Sequence, residues 1–420
     1  MADQNTNSEH TEAVTGWAVF QYRDFTLYVF ARLFATLAFQ MMGTAVGWQV
    51  YSITGDPLDL GFVGLVQFIP ILLFGIIGGQ TADQFERRNI MIICLILSLI
   101  CTVGLTILST YELTDIWPIL AVLTVFSIGR AFHAPASQAF MPNLVPFNVL
   151  PSAVGWNSSL WQIGTIGGPA IGGLLLIFGT TVVYAVTTAL MALAVGLTIF
   201  IKRRPLSNPS KRNLSWQELT LGLSYVWGNK PVLGAISLDL VAVLLGGVTA
   251  LLPIFATDIL GVGATEYGWL RAAPAIGAVM MALTIAQRPI RRNMGKAMFM
   301  GVGIYGLATL VFALSANYWL SLSMLIVAGC ADMISVYVRQ NLVQVATPDA
   351  MRGRVGAVNS VFITASNELG EFESGALAAL IGVIPCVVVG AVGTLTVTVL
   401  WSRLFPALRA YDRPEDPLNA

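Results

Sequence analysis

Long, uninterrupted apolar runs are the feature that most constrains how this chain can fold. They lie at approximately 25–50, 59–81, 90–109, 117–137, 152–178, 181–201, 232–255, 267–287, 297–315, 319–341, 356–380 and 384–403. An α-helix needs ~20 apolar residues to cross a bilayer core of ~30 Å. A membrane β-barrel would show alternating apolar and polar residues instead. The pattern therefore predicts an all-α integral membrane protein with about twelve transmembrane helices.

Composition agrees with this reading and excludes several classes of protein. Of the 420 residues, 56% are hydrophobic and only 10% are charged, whereas a soluble domain carries about 25% charged residues. The four cysteines lie in apolar runs without CxxC spacing and there are only two histidines, so we expect no metal site and no cofactor. The basic residues form no nucleic-acid-binding patch. The sequence has no GxxxxGK[ST] segment for binding ATP, which leaves ion gradients as the energy source.

The distribution of basic residues predicts the topology. Cytoplasmic segments of a chain with a cytoplasmic N-terminus would contain Arg23, Arg87, Arg88, Lys202, Arg203, Arg204, Lys211, Arg212, Lys230, Arg288, Arg291, Arg292, Lys296, Arg352, Arg354, Arg403, Arg409 and Arg413. The loops on the opposite side, such as 52–58 and 111–116, contain none. The positive-inside rule therefore places both termini in the cytoplasm. We expect a multi-pass protein of the bacterial inner membrane whose first span is retained as its insertion signal.

The chain also repeats itself. A shift of 202 positions, the separation of Pro146 and Pro348, also aligns Gln138 with Gln340, Asn157-Ser158 with Asn359-Ser360, Gly168 with Gly370 and Gly173 with Gly375. The fourth and fifth predicted spans therefore resemble the tenth and eleventh. This predicts two six-helix halves related by pseudo-twofold symmetry, with a substrate site between them near the midplane.

These boundaries divide the chain into five predicted segments. They are a cytoplasmic tail (1–23), an N-terminal six-helix bundle (24–201), a cytoplasmic linker (202–230), a C-terminal six-helix bundle (231–404) and a second cytoplasmic tail (405–420). Within the linker, Ser215 and Glu218 have capping-box spacing, and Leu219, Leu223 and Val226 share one face. The linker is therefore predicted to contain a short amphipathic helix that lies along the membrane surface.

The segment after the second predicted span reads Gly79-Gln-Thr-Ala-Asp83-Gln-Phe-Glu-Arg87-Arg88-Asn89. Gly79 permits close helix contact, Asp83 can accept hydrogen bonds, and the arginines hold the loop at the headgroups. The GxxxDxxxRR spacing resembles the signature of the major facilitator superfamily, which implies a conformational gate on the cytoplasmic side. A plain topogenic loop is the alternative. The equivalent loop of the second half keeps Arg291-Arg292-Asn293 but has Gln287 in place of the aspartate.

The fifth predicted span contains Gly155, Gly164, Gly168, Pro169, Gly172 and Gly173. Glycines at this spacing flatten one helix face for close packing, and the proline adds a bend. The pattern resembles the Gx8GxxxGPxxGG motif of antiporters in the same superfamily, and this resemblance favours export over uptake. Close packing without any functional role is the alternative.

The last third of the chain resembles a narrower group. The segments are Asp332-Met-Ile-Ser-Val-Tyr-Val-Arg339, Thr347-Pro-Asp-Ala-Met-Arg352-Gly-Arg354 and Ser366-Asn-Glu368-Leu-Gly-Glu371-Phe-Glu373. They are similar to the enterobactin-exporter-like, transmembrane secretion effector branch of bacterial efflux proteins. The resemblance covers nearly the whole chain outside the N-terminal tail and implies the major facilitator fold, an export role and a monomer. It leaves the substrate open, because members handle siderophores, macrolides, other drugs and metal ions.

Ionisable residues inside the predicted spans are the main functional candidates, since each costs at least ~2.5–3.5 kcal/mol near the bilayer centre. They are Arg32, Arg130, His133, Asp239, Arg271, Asp332, Arg339, Glu368, Glu371 and Glu373. The resemblance places spans 1, 4, 7 and 10 around a central cavity, where several of these residues would lie.

Proton coupling is the first role considered for these residues. Three carboxylates within six residues of one span cannot all remain ionised cheaply. A carboxylate that binds a proton on one side and releases it on the other is what proton-coupled export requires. The candidates are Asp239, Asp332, Glu368, Glu371, Glu373 and, by a partial match to the superfamily's helix-4 motif, Arg130. Alternatively, the glutamates pair with Arg339 or loop arginines and stabilise one conformation.

Candidates for lining the substrate cavity are Arg32, Gln40, Asn157, Arg339 and Asn359. Arg32 is either a counter-ion or an anion-binding residue, and His133 is interpreted as a polar packing residue. The sequence does not decide whether the net charge of the cavity is positive or negative. Unpaired arginines would suit anionic, siderophore-like molecules, and prevailing carboxylates would suit cationic drugs.

Together these features predict a secondary active exporter of small organic molecules, siderophore-like or drug-like, that works by alternating access in antiport with protons. Its partners are the substrate, protons and the lipid bilayer. One rival is an uptake symporter on the same fold. Another is a non-transporting receptor or scaffold, which would be expected to carry a sizeable soluble domain. No metal cluster or nucleophile–base pair in the sequence supports an enzyme.

Overall fold

The structure, a computed structural model, describes residues 16–111, 115–203 and 216–412, and within these ranges its regular elements are all helical. The α-helices are α1 (Arg23–Thr54), α2 (Pro57–Gln84), α3 (Arg87–Leu108), α4 (Trp117–Phe140), α5 (Leu150–Leu175), α6 (Thr180–Ile199), α7 (Trp216–Gly228), α8 (Lys230–Leu245), α9 (Leu252–Ile254), α10 (Ala264–Gln287), α11 (Met294–Leu314), α12 (Tyr318–Ala346), α13 (Asp349–Ile381), α14 (Val383–Leu404) and α15 (Pro406–Ala410). The predicted roles of Arg204, Lys211, Arg212, Ser215 and Arg413 lie outside the described residues, as do the side chains of Arg352 and Arg354.

Eleven of the described helical segments are long and apolar enough to cross a membrane, and α8 and α9 belong to one such span, Lys230–Ile259. The predicted span 356–380 lies within α13, a 33-residue helix that does not meet the same hydropathy criterion. Its three glutamates lower the mean hydropathy of a helix that is nevertheless long enough to span. The all-α membrane fold is confirmed, and the helix count is consistent with twelve.

The packing follows the internal repeat. In the first half, α1 packs against α5 and α6, α4 packs against α2 and α3, and α3 packs against α6. In the second half, α8 packs against α13 and α14, α12 packs against α10 and α11, and α11 packs against α14. The two halves meet through two equivalent pairs, α5 with α10 and α2 with α13. Each set of contacts maps onto its counterpart by the predicted pseudo-twofold symmetry.

The halves are packed tightly at one end, which we name the closed end: the end where α1 gives way to α2. A Cβ added to Gly173 of α5 would come 2.5 Å from the Cα of Gly268 in α10. A Cβ added to Gly375 of α13 would come 2.6 Å from the Cα of Gly61 in α2. Such distances leave room for glycine alone, so the backbones of the two halves touch at both contacts. We call the interface between the halves the seam.

Side chains complete the closure at this end. The rings of Trp48 and Tyr267 lie 5.5 Å apart between their centroids. The hydroxyl of Tyr51 donates to the Asp258 carboxylate at 2.5 Å. Both contacts join α1 to the second half of the chain.

The seam widens towards the opposite end, named here the open end. Gly155 and Gly173 are separated by about five helical turns of α5, so they share one face of that helix. Gly173 is in tight backbone contact with α10, whereas a Cβ added to Gly155 would have nothing within 4 Å. The helices α5 and α10 therefore diverge, and the space between the halves opens at this end.

The linker contributes one described helix, α7, which packs against α8 and α13 of the second half. The Tyr225 hydroxyl donates to the Ala346 carbonyl, and Val226 is fully buried. On its other side, Leu221 and Trp227 are exposed. The helix is attached to the C-terminal half, while its amphipathic character and the segment boundaries of the sequence analysis remain predictions.

The glycine seam gives a matched pair of substitutions. We expect Gly173→Val to prevent closure, because valine cannot fit against the Gly268 backbone. The same change at Gly155, on the same face of the same helix, meets open space. In proteins carrying a single cysteine at Trp48, reaction with an impermeant maleimide should accelerate for Gly173→Val only. Equal rates in the two variants would contradict the assignment of the closed end.

Candidate functional site

A cluster of charges crosses the seam between the halves. A guanidinium nitrogen of Arg130 in α4 lies 3.5 Å from a carboxylate oxygen of Glu368 in α13. The same nitrogen donates to the side-chain carbonyl of Gln67 in α2 at 3.3 Å. The guanidinium also lies 4.0 Å from the centre of the Phe39 ring in α1, close enough for a cation–π interaction. Arg130 thus ties three helices of the first half to a carboxylate of the second.

A second arginine extends this cluster towards the closed end. Arg271 in α10 donates to the Tyr267 hydroxyl at 3.2 Å. It reaches α1, since a Cβ on Gly43 would lie 3.1 Å from its guanidinium. It also interacts electrostatically with Glu371 and Glu368. We name Arg130, Arg271, Glu368 and Glu371 the seam cluster, which has two positive and two potentially negative groups.

The three glutamates of α13 therefore separate into two sets. Glu368 and Glu371, three residues apart on one face, point towards the seam arginines. Glu373 is half-buried elsewhere, where it hydrogen-bonds with Ser374 and lies near Cys386 of α14. Among the contacts of the described residues, Glu368 pairs with Arg130, and Arg339 pairs with an acid outside α13, Asp239.

A second ion pair lies entirely within the C-terminal half. Arg339 in α12 and Asp239 in α8 approach to 2.8 Å, and their side chains are 4% and 6% exposed. The Ser335 hydroxyl donates to the other Asp239 oxygen at 3.2 Å. The pair is short, dry and held by a third side chain, so it fixes α8 against α12.

Asp332 lies beside this pair. It lines a small cavity together with Asp239, Tyr305 and Ser335. Among the described residues the structure gives Asp332 no hydrogen-bond or ion-pair partner. The 202-residue repeat makes Asp332 the equivalent of Arg130, so the two halves carry opposite charges at matching positions of α12 and α4.

The N-terminal half contains a basic group at the open end of the seam. Arg32 of α1 donates to the side-chain oxygen of Asn157 in α5 at 2.8 Å. His133 of α4 interacts electrostatically with Arg32, and its Nε2 atom is buried without a hydrogen-bond partner. The structure therefore joins two predicted cavity residues, Arg32 and Asn157, and adds His133 to them.

The other two cavity candidates occupy separate places. Gln40 of α1 packs on Gly168 of α5, in the helix–helix contact of the first half. Asn359, the repeat equivalent of Asn157, has a buried side-chain oxygen with no hydrogen-bond partner in the described part of α13. Among the described residues, no basic side chain donates to this oxygen as Arg32 donates to Asn157.

The predicted gate residues bind within the first half. Arg87 lies 3.9 Å from Asp83 and donates to the Ala139 carbonyl at the end of α4. Arg88 donates to the carbonyl of Ile199 in α6. Gly79 lies in α2, one turn before Asp83. The motif thus fastens the α2–α3 corner to α4 and α6, and its gating role remains a prediction.

The glycine motif of α5 packs against two helices, α1 and α10. Gly164, Gly168 and Gly172 face α1, where added Cβ atoms would approach its backbone or side chains to within 3.2 Å. Pro169 and Gly173 face Gly268 of α10. The motif therefore builds both the first half and the seam.

Sequence analysis missed three polar members of these clusters: Gln67, Tyr267 and Tyr305. Gln67 is an amide inside a predicted span, the same signal that singled out Gln40 and Asn157. The two tyrosines gave no such signal, because tyrosine is common in membrane helices. Across the described residues, no three His, Cys, Asp or Glu side chains come together to hold a metal ion.

Two halves around a seam that is closed at one end and open at the other, with charges at mid-span, define a membrane transporter of the major facilitator superfamily. A family model for transmembrane secretion effectors matches residues 14–419. The chain therefore belongs to the transmembrane secretion effector family.

Individual relatives are similar over different lengths. Macrolide efflux protein A of Streptococcus pyogenes is 33% identical over 152 residues, a match that covers 36% of this chain and 38% of that protein. The enterobactin exporter EntS of Shigella boydii serotype 18 is 24% identical over 407 residues, covering 93% and 94% of the two chains.

Among solved structures, a bacterial homologue of the human lysosomal transporter Spinster, in an inward-facing and occupied conformation, aligns with a TM-score of 0.70 at 15% identity. The alignment covers 92% of this chain and 98% of that one. It supports the fold assignment.

The buried pair Asp239–Arg339 makes a prediction about stability. Asp239→Asn leaves the Arg339 charge buried without its partner, and breaking such a pair costs about 3–5 kcal/mol. Asp332→Asn removes a carboxylate that makes no hydrogen bond or ion pair with the described side chains and lies beside the like-charged Asp239, so it should not destabilise the protein. Thermal unfolding of the purified variants in detergent should show a lower midpoint for Asp239→Asn alone. Equal midpoints would contradict this.

Proposed function

We propose that the protein is a secondary active exporter of small organic molecules that exchanges its substrate for protons. With cytoplasmic termini, the open end faces the cytoplasm and the closed end faces outward. The state described here then accepts substrate from the cytoplasm. Export is supported by the efflux proteins among its relatives and by the antiporter-type glycine motif in α5.

The main support for proton coupling is the Arg130–Glu368 pair, because this pair joins the two halves. A proton can shift a conformational equilibrium only if it binds the two states with different affinities. Glu368 and Glu371 lie in the seam that must open and close, so their surroundings differ between the states. The Asp239–Arg339 pair lies inside one half, where rigid-body rocking leaves its surroundings unchanged. We therefore assign it a structural role.

In the proposed cycle, the free-energy cost of burying a charged carboxylate links proton binding to closure of the seam. When the outer end opens, Glu368 and Glu371 meet water and take up a proton from outside. Reclosing the seam is easier with a neutral carboxyl group, because a buried charge loses its hydration. The proton leaves through the cytoplasmic opening, and the Arg130–Glu368 pair forms again. Each cycle moves substrate outward and a proton inward.

The substrates are defined first, by comparing a deletion strain with its complement. Compounds that the complement restores to the medium and removes from the cell extract are exported. Compounds that move the other way would favour the uptake symporter. No difference in any compound, with the protein present in the membrane, would contradict transport under those conditions.

Coupling is then tested with Glu371→Gln and Glu373→Gln, which are two residues apart on the same helix. In everted vesicles with an acidic lumen, we expect Glu371→Gln to reduce gradient-driven uptake of an exported compound by about tenfold, a typical coupling free energy. Exchange of labelled for unlabelled substrate should persist, since it needs no net proton movement.

Glu373→Gln is the control, because Glu373 lies away from the seam arginines and should retain gradient-driven uptake. Full activity of Glu371→Gln under the pH gradient would exclude Glu371 as the coupled acid. Equal loss in both variants would indicate that α13 requires carboxylates for folding and not for coupling.

A further inference from the structure

Four arginines, Arg32, Arg130, Arg271 and Arg339, lie inside the spans away from the helix ends, and the structure distinguishes one of them by its partners. Arg130 pairs with Glu368 and Arg339 pairs with Asp239. Arg271 interacts electrostatically with Glu371 and Glu368. Arg32 has a neutral partner, the Asn157 amide. Of these four, Arg32 is thus the one that no carboxylate of the described residues faces.

The groups around Arg32 do not supply a negative charge. The ionisable side chain that interacts with it from α4 is His133, which is neutral or positive. The nearest acid along α1 is Asp24, about two turns towards the open end. Its carboxylate accepts from the backbone NH of Lys202. A half-buried guanidinium without a counter-ion is unfavourable inside a membrane protein, so a ligand that brings an anionic group is stabilised there.

The direction of the Arg32 side chain follows from helix geometry. Arg32, Phe39 and Gly43 lie seven and eleven residues apart, close to two and three turns, so they share one face of α1. Phe39 lies beneath the Arg130 guanidinium, and Gly43 contacts Arg271 of the second half. This face of α1 therefore points into the space between the halves.

The position of Arg32 along the axis of α1 places it in the open part of the space between the halves. It lies about 16 Å from Gly43 along the helix axis, in the direction of the open end. The halves touch at Gly43 and have separated at Gly155, two residues from Asn157. An anion that enters from the open end meets Arg32 before it reaches the seam cluster.

An aromatic side chain lies close to Asn157 on α5. Trp161 follows Asn157 by about one turn and is 43% exposed. It lies on the same side of α5 as Gly168 and Gly172, which approach α1. An exposed indole one turn from the Arg32 partner can pack against the apolar body of a ligand.

We infer that the transported substrate is an organic anion, and that Arg32, held by Asn157, binds its anionic group on the cytoplasmic side. This rests on the proposed export function and specifies its substrate class. The seam cluster carries no excess charge with which to attract a cation. Asp332, which lies near Arg339 and Asp239, lines a separate cavity within the C-terminal half.

The test uses the deletion strain complemented with wild type, Arg32→Gln, Arg32→Lys and, as a control, Arg23→Gln. Arg23 is an exposed cation at the start of α1, outside the site. Medium and cell extract are analysed by capillary electrophoresis with mass spectrometry, which separates compounds by charge. We expect the exported compounds to be anions. Their export should fall about tenfold or more in Arg32→Gln and be largely retained in Arg32→Lys, because a charge-assisted contact is lost only in the former.

The outcomes separate the two proposals. Export of cations or neutral compounds would overturn the substrate class and leave the exporter standing. Anion export that is unaffected by Arg32→Gln would overturn the role of Arg32. Absence of any export by wild type would contradict the exporter and this inference together.

Binding to the purified wild-type protein gives a second measurement that no variant can compromise. Carboxyfluorescein and rhodamine 123 share a xanthene ring system and carry opposite charges. Fluorescence anisotropy should show tighter binding of carboxyfluorescein, weakened by salt. An equal or weaker signal for carboxyfluorescein than for rhodamine 123 contradicts the proposal.

Discussion

The contact between Arg130 and Glu368 is the interaction on which the rest of this structure depends. It is an ion pair at mid-span whose two members belong to different halves of the molecule. A buried arginine needs a counter-charge, and in this state Glu368 supplies it from the other side of the seam. The seam is closed on one side of this pair and widens on the other. The pair therefore marks the boundary between the part of the interface that is shut and the part that is open.

The closed part of the interface is made by backbone contact. Gly173 against Gly268, and Gly61 against Gly375, allow the helices of the two halves to approach until no side chain fits between them. Such contacts have no hydrophobic driving force in lipid and depend on shape. In the proposed cycle they separate as a unit when the electrostatic balance of the nearby charges changes. Flat glycine faces and a small number of buried charges would then give the interface its two alternative arrangements.

Much of this fold could be predicted from the sequence, because apolar length and an internal repeat are local or periodic signals. The charge pairs could not. Arg130 and Glu368 are far apart in sequence and lie on helices whose relative rotation is set by packing. The α13 glutamates looked equivalent, yet Glu373 differs from Glu371 by a helix rotation of about 200°, which turns it away from the arginines. Arg32 was ambiguous for the same reason, since only the three-dimensional arrangement shows which cations have acidic partners.

The most direct test of the account is whether the charge of the seam cluster controls which end is open. Spin labels at Tyr111 and Trp319 report on the closed end, and labels at Phe147 and Arg291 report on the open end. Raising the pH should lengthen distances at the first pair and shorten them at the second, and acidification should reverse both changes. In Glu371→Gln the closed-end distances should stay short at every pH. Wild-type distances that do not change with pH at either end would contradict the central claim.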